Sequence, residues 1–383
     1  MMRTGGTEKM IGDQIDEELE YMAASVETYV GEEAGVATLS VLKKDLDRGL
    51  SIFSEVLMRP AFAHDKVELK KNQVIEGIRR RNDKAAWIVQ REWKRLVFQG
   101  HPFGRISTVK TVTAIAREDL IRFHQQFYYP NNISLVVSGD FVEADLLKKL
   151  EGVFGAWPSR PAPALPAPQV PLAFRASVNH IEKDVPQASI RLGHLGVTKL
   201  DPDWHALEVF DNVLGSNGFS SRLMREVRSN RGLAYSVGSG VTGGRSRGVI
   251  LAACQTKSKS CVEALDLIMQ ILRQIRTQPV SVEELKIARE SLLNSFVFQF
   301  TSSYGIATAH ADLEYLGLPT DWYDTYKDRI ARVTADDVLR VARQHLHPDK
   351  LTILVVGKQA EFDRPLATLG KVTQLPLDDY TGR

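Results

Sequence analysis

In the stretch RSNRGLAY an arginine, Arg228, and a tyrosine, Tyr235, stand seven residues apart. A guanidinium and a phenol both donate hydrogen bonds, and two such donors suit chemistry in which negative charge develops on an oxygen. Spacing alone also allows a plainer role: an arginine on a helix surface and an aromatic packed in a strand. Just upstream, LGSNGFSSRL (Leu214 to Leu223) joins two helical patterns through glycines. It is not a phosphate loop, because it lacks G-x-x-x-x-G-K-[ST] and no strand precedes it. Gly215 and Gly218 there supply backbone freedom. His345 and His347 form HLH at the end of a helical pattern, but no Cys, Asp or third His stands in register to complete a metal site. Cys254 and Cys261 are too few for a disulfide framework or a zinc ribbon. Cys254, inside the apolar run GVILAACQT, reads as a buried small hydrophobe.

The elements that must hold these residues belong to a soluble globular chain of 383 residues, 43% hydrophobic and 25% charged. A formal net charge of +2 gives no argument for nucleic acid or for a membrane surface. The basic run IRRRNDK (Ile78 to Lys84) lies in a helical pattern and reads as a solvated face. No stretch is long and apolar enough for a transmembrane helix, and no signal peptide is visible.

Six of the fifteen residues in WPSRPAPALPAPQVP (Trp157 to Pro171) are proline, the composition of a semi-rigid spacer. The expected division is therefore 1–156, a linker over 157–171, and 172–383. The chain repeats itself across that linker. EDLIRFHQQFYYPNNISLVVSGD (Glu118 to Asp140) and DDVLRVARQHLHPDKLTILVVGK (Asp336 to Lys358) align at an offset of 218 without a gap. Each reads as a helix with an acidic first turn, a proline turn, and a β-branched strand ending at glycine. A looser match pairs Ala24 to Leu57 with Tyr235 to Leu272 as strand, turn, strand, helix. The predicted class is α+β, two duplicated halves, each an antiparallel or mixed sheet covered by helices. The second half opens with two strands and a helix, Asp201 to Gly215, whose counterparts fall at negative numbers. The expectation is a first half truncated at its N-terminus by roughly fifty residues, or a misplaced start.

The duplicated halves, together with RTGGT near the start, GHPFGR (Gly100 to Arg105), FYYPNN (Phe127 to Asn132), FSSRL (Phe219 to Leu223) and RSNRGLAYSV (Arg228 to Val237), resemble the pitrilysin/insulinase-type zinc metallopeptidases. The resemblance is to their short, two-domain bacterial members, relatives of the mitochondrial processing peptidase, and it covers essentially the whole chain. It implies a zinc site built on an inverted motif, H-x-x-E-H, on a helix of the first half, with a later Glu as third ligand. None of the nine histidines opens such a motif. The nearest approach, HALEV (His205 to Val209), has Val209 in place of the second His and lies in the other half. At the third-ligand position the pattern reads KKNQVIEGI (Lys70 to Ile78), which puts Lys70 there. An ammonium donates and repels a cation. Glu68 and Glu76 point about 160° and 120° away on a helix. The resemblance thus implies no metal ligand in this chain.

What it does carry over is the other part of the machinery. Arg228 and Tyr235 would hold the peptide backbone and the oxyanion of the scissile carbonyl, while Gly215, Ser216, Gly218, Phe219 and Ser220 would line the substrate path. The edge SVGSGVTGG (Ser236 to Gly244) would take an extended peptide by strand addition. The reading is a non-catalytic, substrate-binding subunit of a heterodimeric peptidase. It has no cofactor of its own and acts in trans on peptides held by a homologous partner that carries H-x-x-E-H and zinc; a homodimer is the other pairing. Two alternatives stand beside it: an active zinc peptidase whose catalytic end is cut off, and an inert structural core subunit. The compartment is left open, with the periplasm slightly favoured over the cytoplasm by the resemblance.

Overall fold

The computed structural model describes residues 1–161 and 168–381, so residues 162–167 of the expected linker lie outside the described residues. The chain divides into two compact units. The first is Met1–Arg80 with Ser107–Ala167 and Tyr380–Arg383; the second is Arg81–Ile106 with Pro168–Asp379. The second unit thus takes in a piece of sequence far upstream of the proline-rich boundary.

The first unit begins with α1 (Gly12–Tyr21), then a hairpin of β1 (Ser25–Val30) and β2 (Gly35–Ser40), then α2 (Leu46–Met58) and α3 (His64–Arg80). The hairpin pairs from Ser25 with Ser40 to Val30 with Gly35. Its core joins Ile15 and Leu19 of α1, Val26 of β1, and Ile52, Phe53 and Val56 of α2. The next helix, α4 (Ala85–Val97), belongs to the second unit. The chain then returns to the first unit for α5 (Val109–Thr113), α6 (Arg117–Phe127) and α7 (Glu143–Phe154).

In the second unit β3 (Ser177–Glu182) and β4 (Gln187–Leu195) lead to α8 (Trp204–Asp211). They are followed by β5 (Ala234–Gly243), β6 (Arg247–Lys257), α9 (Cys261–Gln274), α10 (Val282–Phe296), α11 (Ser303–Leu316), α12 (Trp322–Arg332), α13 (Ala335–His345), β7 (Thr352–Gly357) and β8 (Val372–Gln374). The strands form one mixed sheet in the order β5-β6-β4-β7-β3-β8, parallel where β3 meets β7 and β8 and antiparallel elsewhere. Several helix starts are written locally. Ser281 and Glu284 close a capping box at α10, and Thr334 and Asp337 close another at α13.

All six residues of β7 are buried. Ile353 and Val355 enter a core shared with Leu207 and Phe210 of α8, Leu265 and Ile268 of α9, and Val338 and Val341 of α13. Leu354 and Val356 enter a different core, with Ile88, Val89, Trp93 and Val97 of α4. A strand covered on both faces reads as a continuous apolar run, and TILVV in the sequence is that run. The Trp93 indole also donates from Nε1 to the Thr352 carbonyl at 2.8 Å, so this large side chain is buried with its polar atom satisfied.

The aligned segment of the first unit behaves differently. Ile133 to Gly139 forms no strand, against the expectation from the repeat, and Ile133, Leu135 and Val137 are exposed. β7 is a strand because β3 and β4 take up its backbone groups on either side. Among the described residues no strand pairs with 133–139, and an apolar β-branched sequence alone does not make a ladder. No described helix is long and apolar enough to cross a membrane.

At the end of β4 a buried histidine sets an acid limit on the second unit. His194 Nδ1 lies 2.8 Å from the Leu195 carbonyl, and its Nε2 accepts the His347 backbone N–H at 3.0 Å. Burial pushes the His194 pKa down to about 4, only partly opposed by the carbonyl bond, and His347 is lowered as well, mainly by burial. The folded state therefore refuses a proton that the unfolded chain accepts near pH 6.5. Stability is full above that pH and falls as pH drops toward 4, by up to about 3 kcal/mol for His194. Urea midpoints measured between pH 7 and pH 4.5 will fall accordingly, and His194→Gln will flatten the slope. Trp93→Ala, which empties the core between α4 and the sheet, will cost about 3–5 kcal/mol in the same assay.

Candidate functional site

After α8 the helix does not stop but widens. Residues Asn212–Ser216 form a π-helical turn, Gly218–Ser220 a 3-10 turn, and Met224–Asn230 a second π-helical segment that runs through Gly232 into β5. Gly218 has φ +49 and Gly232 φ +62, a backbone region that glycine enters without a Cβ penalty. Gly215 is required for another reason. A Cβ placed on it would sit 2.3 Å from the Ser239 backbone nitrogen and 2.9 Å from the Gly238 carbonyl carbon, so the π turn lies directly against β5.

Arg228, Tyr235 and Phe219 come together on this scaffold. The Arg228 Cζ lies 4.9 Å from the centroid of the Phe219 ring and 5.6 Å from that of the Tyr235 ring. The arginine is half-buried, while Phe219 is 66% and Tyr235 72% exposed, so the cluster is open to an incoming group. Ser216, Gly218 and Ser220 lie exposed on the turns that carry Phe219, and Gly215 is buried beneath them.

Two carboxylates, Glu284 half-buried and Asp211 buried, hold the scaffold through partners distant in sequence. Glu284 of α10 accepts both guanidinium nitrogens of Arg222 at 2.7 Å, and Arg225 stands 3.5 Å from it. Burial alone would raise the Glu284 pKa. The bonds from Arg222 and the Ser281 backbone, with the charges of Arg222 and Arg225, instead bring it down to about 2. Asp211, at the end of α8, accepts the Ser239 hydroxyl and, at 3.3 Å, the Val241 N–H. Burial pushes its pKa up, opposed by Ser239, Val241 and Ser216. Through Gly215 and Asp211 the outer edge of β5 is occupied over Ser239 to Val241. The stretch expected to take a peptide by strand addition is therefore filled over those residues by the chain itself.

The residues at the position expected for a zinc ligand do not fit the ion. Lys70 is exposed on α3. Glu68 is paired with Lys71 at 2.9 Å and Glu76 with Arg79, so both neighbouring carboxylates are engaged along the helix. Among the described residues one group, Asp201, Asp203 and His345, has metal-ligand composition and spacing. Its members are engaged with one another and with Arg340: Asp203 accepts from His345 at 2.7 Å and from Arg340 at 2.8 Å, and Asp201 accepts the Asp203 N–H at 2.9 Å. It ties the start of α8 to α13. His205 sits at 3.1 Å from Glu208 and against the ring of Trp322, a packed helix residue.

Comparisons with known proteins bear on the family and the fold. Residues 1–109 match the family model described as Insulinase (Peptidase family M16), and residues 114–292 match the one described as Peptidase M16 inactive domain. The non-peptidase homolog YmxG of Helicobacter pylori is 24% identical over 344 residues, covering 89% of this chain and 79% of that protein. An uncharacterized zinc protease of Mycobacterium leprae is 26% identical over 327 residues, 80% of this chain and 70% of that one. The crystal structure of a peptidase M16 inactive domain from Pseudomonas fluorescens superimposes with a TM-score of 0.85 at 26% identity, covering 93% of this chain and 86% of that chain.

Glu284→Ala will leave the half-buried Arg222 guanidinium without its partner and cost about 3 kcal/mol in chemical denaturation. Glu284→Gln, which keeps the shape and one acceptor, will cost less.

Proposed function

This chain belongs to peptidase family M16, and within that family we propose that it is a substrate-binding subunit that works beside a zinc-bearing homologue. The matches to an inactive domain and to a non-peptidase homolog support an inactive M16-like subunit. A chain without its own catalytic zinc fits them. The single observation that carries the finer reading is the contrast between the two candidate centres. Where a metal-binding carboxylate is expected stands Lys70, with its neighbouring carboxylates paired, whereas the donor pair Arg228 and Tyr235 is assembled and open.

In this reading Arg228 holds the peptide and Tyr235 directs its hydroxyl at the oxygen on which charge develops, with the metal supplied by the partner. Preorganised donors of this kind act without reorganisation at the moment of reaction. Glu284 and Asp211 are positioning residues: they lock the π-helical segment and the β5 edge from which the two donors project. Ser216, Gly218, Phe219 and Ser220 form the rim along which the peptide passes.

The purified chain alone is expected to show no peptidase activity and no stoichiometric zinc by metal analysis. Mixing with a homologue that carries H-x-x-E-H should produce activity, and Arg228→Ala, by misplacing the peptide, should lower it by about 10². One zinc per chain in the isolated protein would overturn the reading. Activity in the mixture that is indifferent to Arg228→Ala and Tyr235→Phe would assign the chain a purely structural role.

A further inference from the structure

Arginines stand at positions 222, 225 and 228 of the segment that follows FSSRL's first turn, and a fourth, Arg231, lies exposed at its end. Arg222 is held by Glu284, and Arg225 by Glu226 with Glu284 beyond it. Arg228 is different. Among the described residues its guanidinium meets no carboxylate and no hydrogen-bond acceptor, only the rings of Phe219 and Tyr235. Neighbouring acids do not compete for it. Glu226 is taken by Arg225 and Asn230, and Asp211 is buried with Ser239 and Val241.

A half-buried guanidinium loses part of its hydration. Aromatic faces return some of that through cation–π attraction, but they offer nothing to the N–H groups. Those N–H groups form a rigid fork whose shape matches two oxygens in one plane better than a single carbonyl oxygen. Two large aromatic side chains left exposed beside the fork provide apolar area with little conformational entropy to lose. We propose that this cluster receives a carboxylate of the bound peptide on Arg228, with Phe219 and Tyr235 covering the apolar side chain next to it. The inference rests on the peptide-binding reading above and narrows its ligand class. It also gives Phe219 the task of selecting for that apolar neighbour.

The carboxylate could belong to the peptide's C-terminus or to an acidic side chain, and three fluorescent peptides of one apolar-aromatic sequence separate the two. One ends in a free acid, one in an amide, and one in an amide with a glutamate as its penultimate residue. With the full chain and anisotropy as readout, the free acid is expected to bind at least tenfold more tightly than the plain amide. The glutamate peptide reports whether a side-chain acid is accepted as well; tight binding by it alone would move the carboxylate from the terminus to the side chain and still support the site. Arg228→Ala should bring acid and amide to the same affinity, and Arg228→Lys should restore only part of the difference. Phe219→Ala should weaken every peptide several-fold while leaving the acid-to-amide ratio intact. Equal binding of all three peptides by the natural chain, lost in Arg228→Ala, would overturn the carboxylate inference and leave the peptide-binding reading standing. Binding of no peptide, or binding indifferent to Arg228→Ala, would overturn both.

Discussion

The second unit depends on covering both faces of its sheet. β7 and β4 run through the middle of six strands and send apolar side chains in both directions, so a helical layer on one face leaves Leu354, Val356 and Leu195 facing water. α4 removes that exposure. It lies some 260 residues upstream of β7 in sequence, yet its Trp93 is among the largest fully buried side chains and bonds to the β7 backbone. Burial of that much apolar surface, not the course of the chain, decides where the compact unit ends.

Everything at the candidate site is mounted on the opposite layer of the same sheet. α8 packs its apolar stripe inward and ends in Asp211, whose carboxylate reaches across to β5. The helix then widens into π geometry, which often marks functional sites because it re-aims a side chain at the cost of regular hydrogen bonding. Glycine at 215 allows the widened turn to touch the strand, and glycines at 218 and 232 turn the chain where other residues would be strained. The product is an arginine held by rings and not by acids, beside Arg222 and Arg225, which carboxylates neutralise. Such an arrangement leaves Arg228 free to meet a ligand while keeping its support rigid.

The two halves also show how a repeat can be legible and still fold unequally. The alignment of Glu118 to Asp140 with Asp336 to Lys358 holds residue by residue. α6 and α13 both form with acidic first turns, and Pro130 and Pro348 both start short 3-10 turns. The segments that follow diverge. One is a strand paired on both sides and wholly buried; the other forms no strand, has no ladder partner among the described residues, and leaves Ile133, Leu135 and Val137 exposed. A helix closes its hydrogen bonds within itself, so similar sequences give similar helices, whereas a strand needs a neighbour that lies elsewhere in the chain.

The same distinction separates what sequence by itself determined from what only the tertiary structure decided. Local pattern sufficed for the α+β class, the capping boxes at Ser281 and Thr334, the apolar run of β7, and the seven-residue spacing of Arg228 and Tyr235. Each of these is set by contacts a few residues apart. The placement of α4, the anchoring of Arg222 by Glu284 and of β5 by Asp211, the closure of the β5 edge, and the company Phe219 keeps with Arg228 were not legible. They join residues between 9 and 259 positions apart. A carboxylate or an aromatic ring looks the same in sequence whether it is solvated or paired, and only folding determines which groups are brought out of water together and which one is left without a partner.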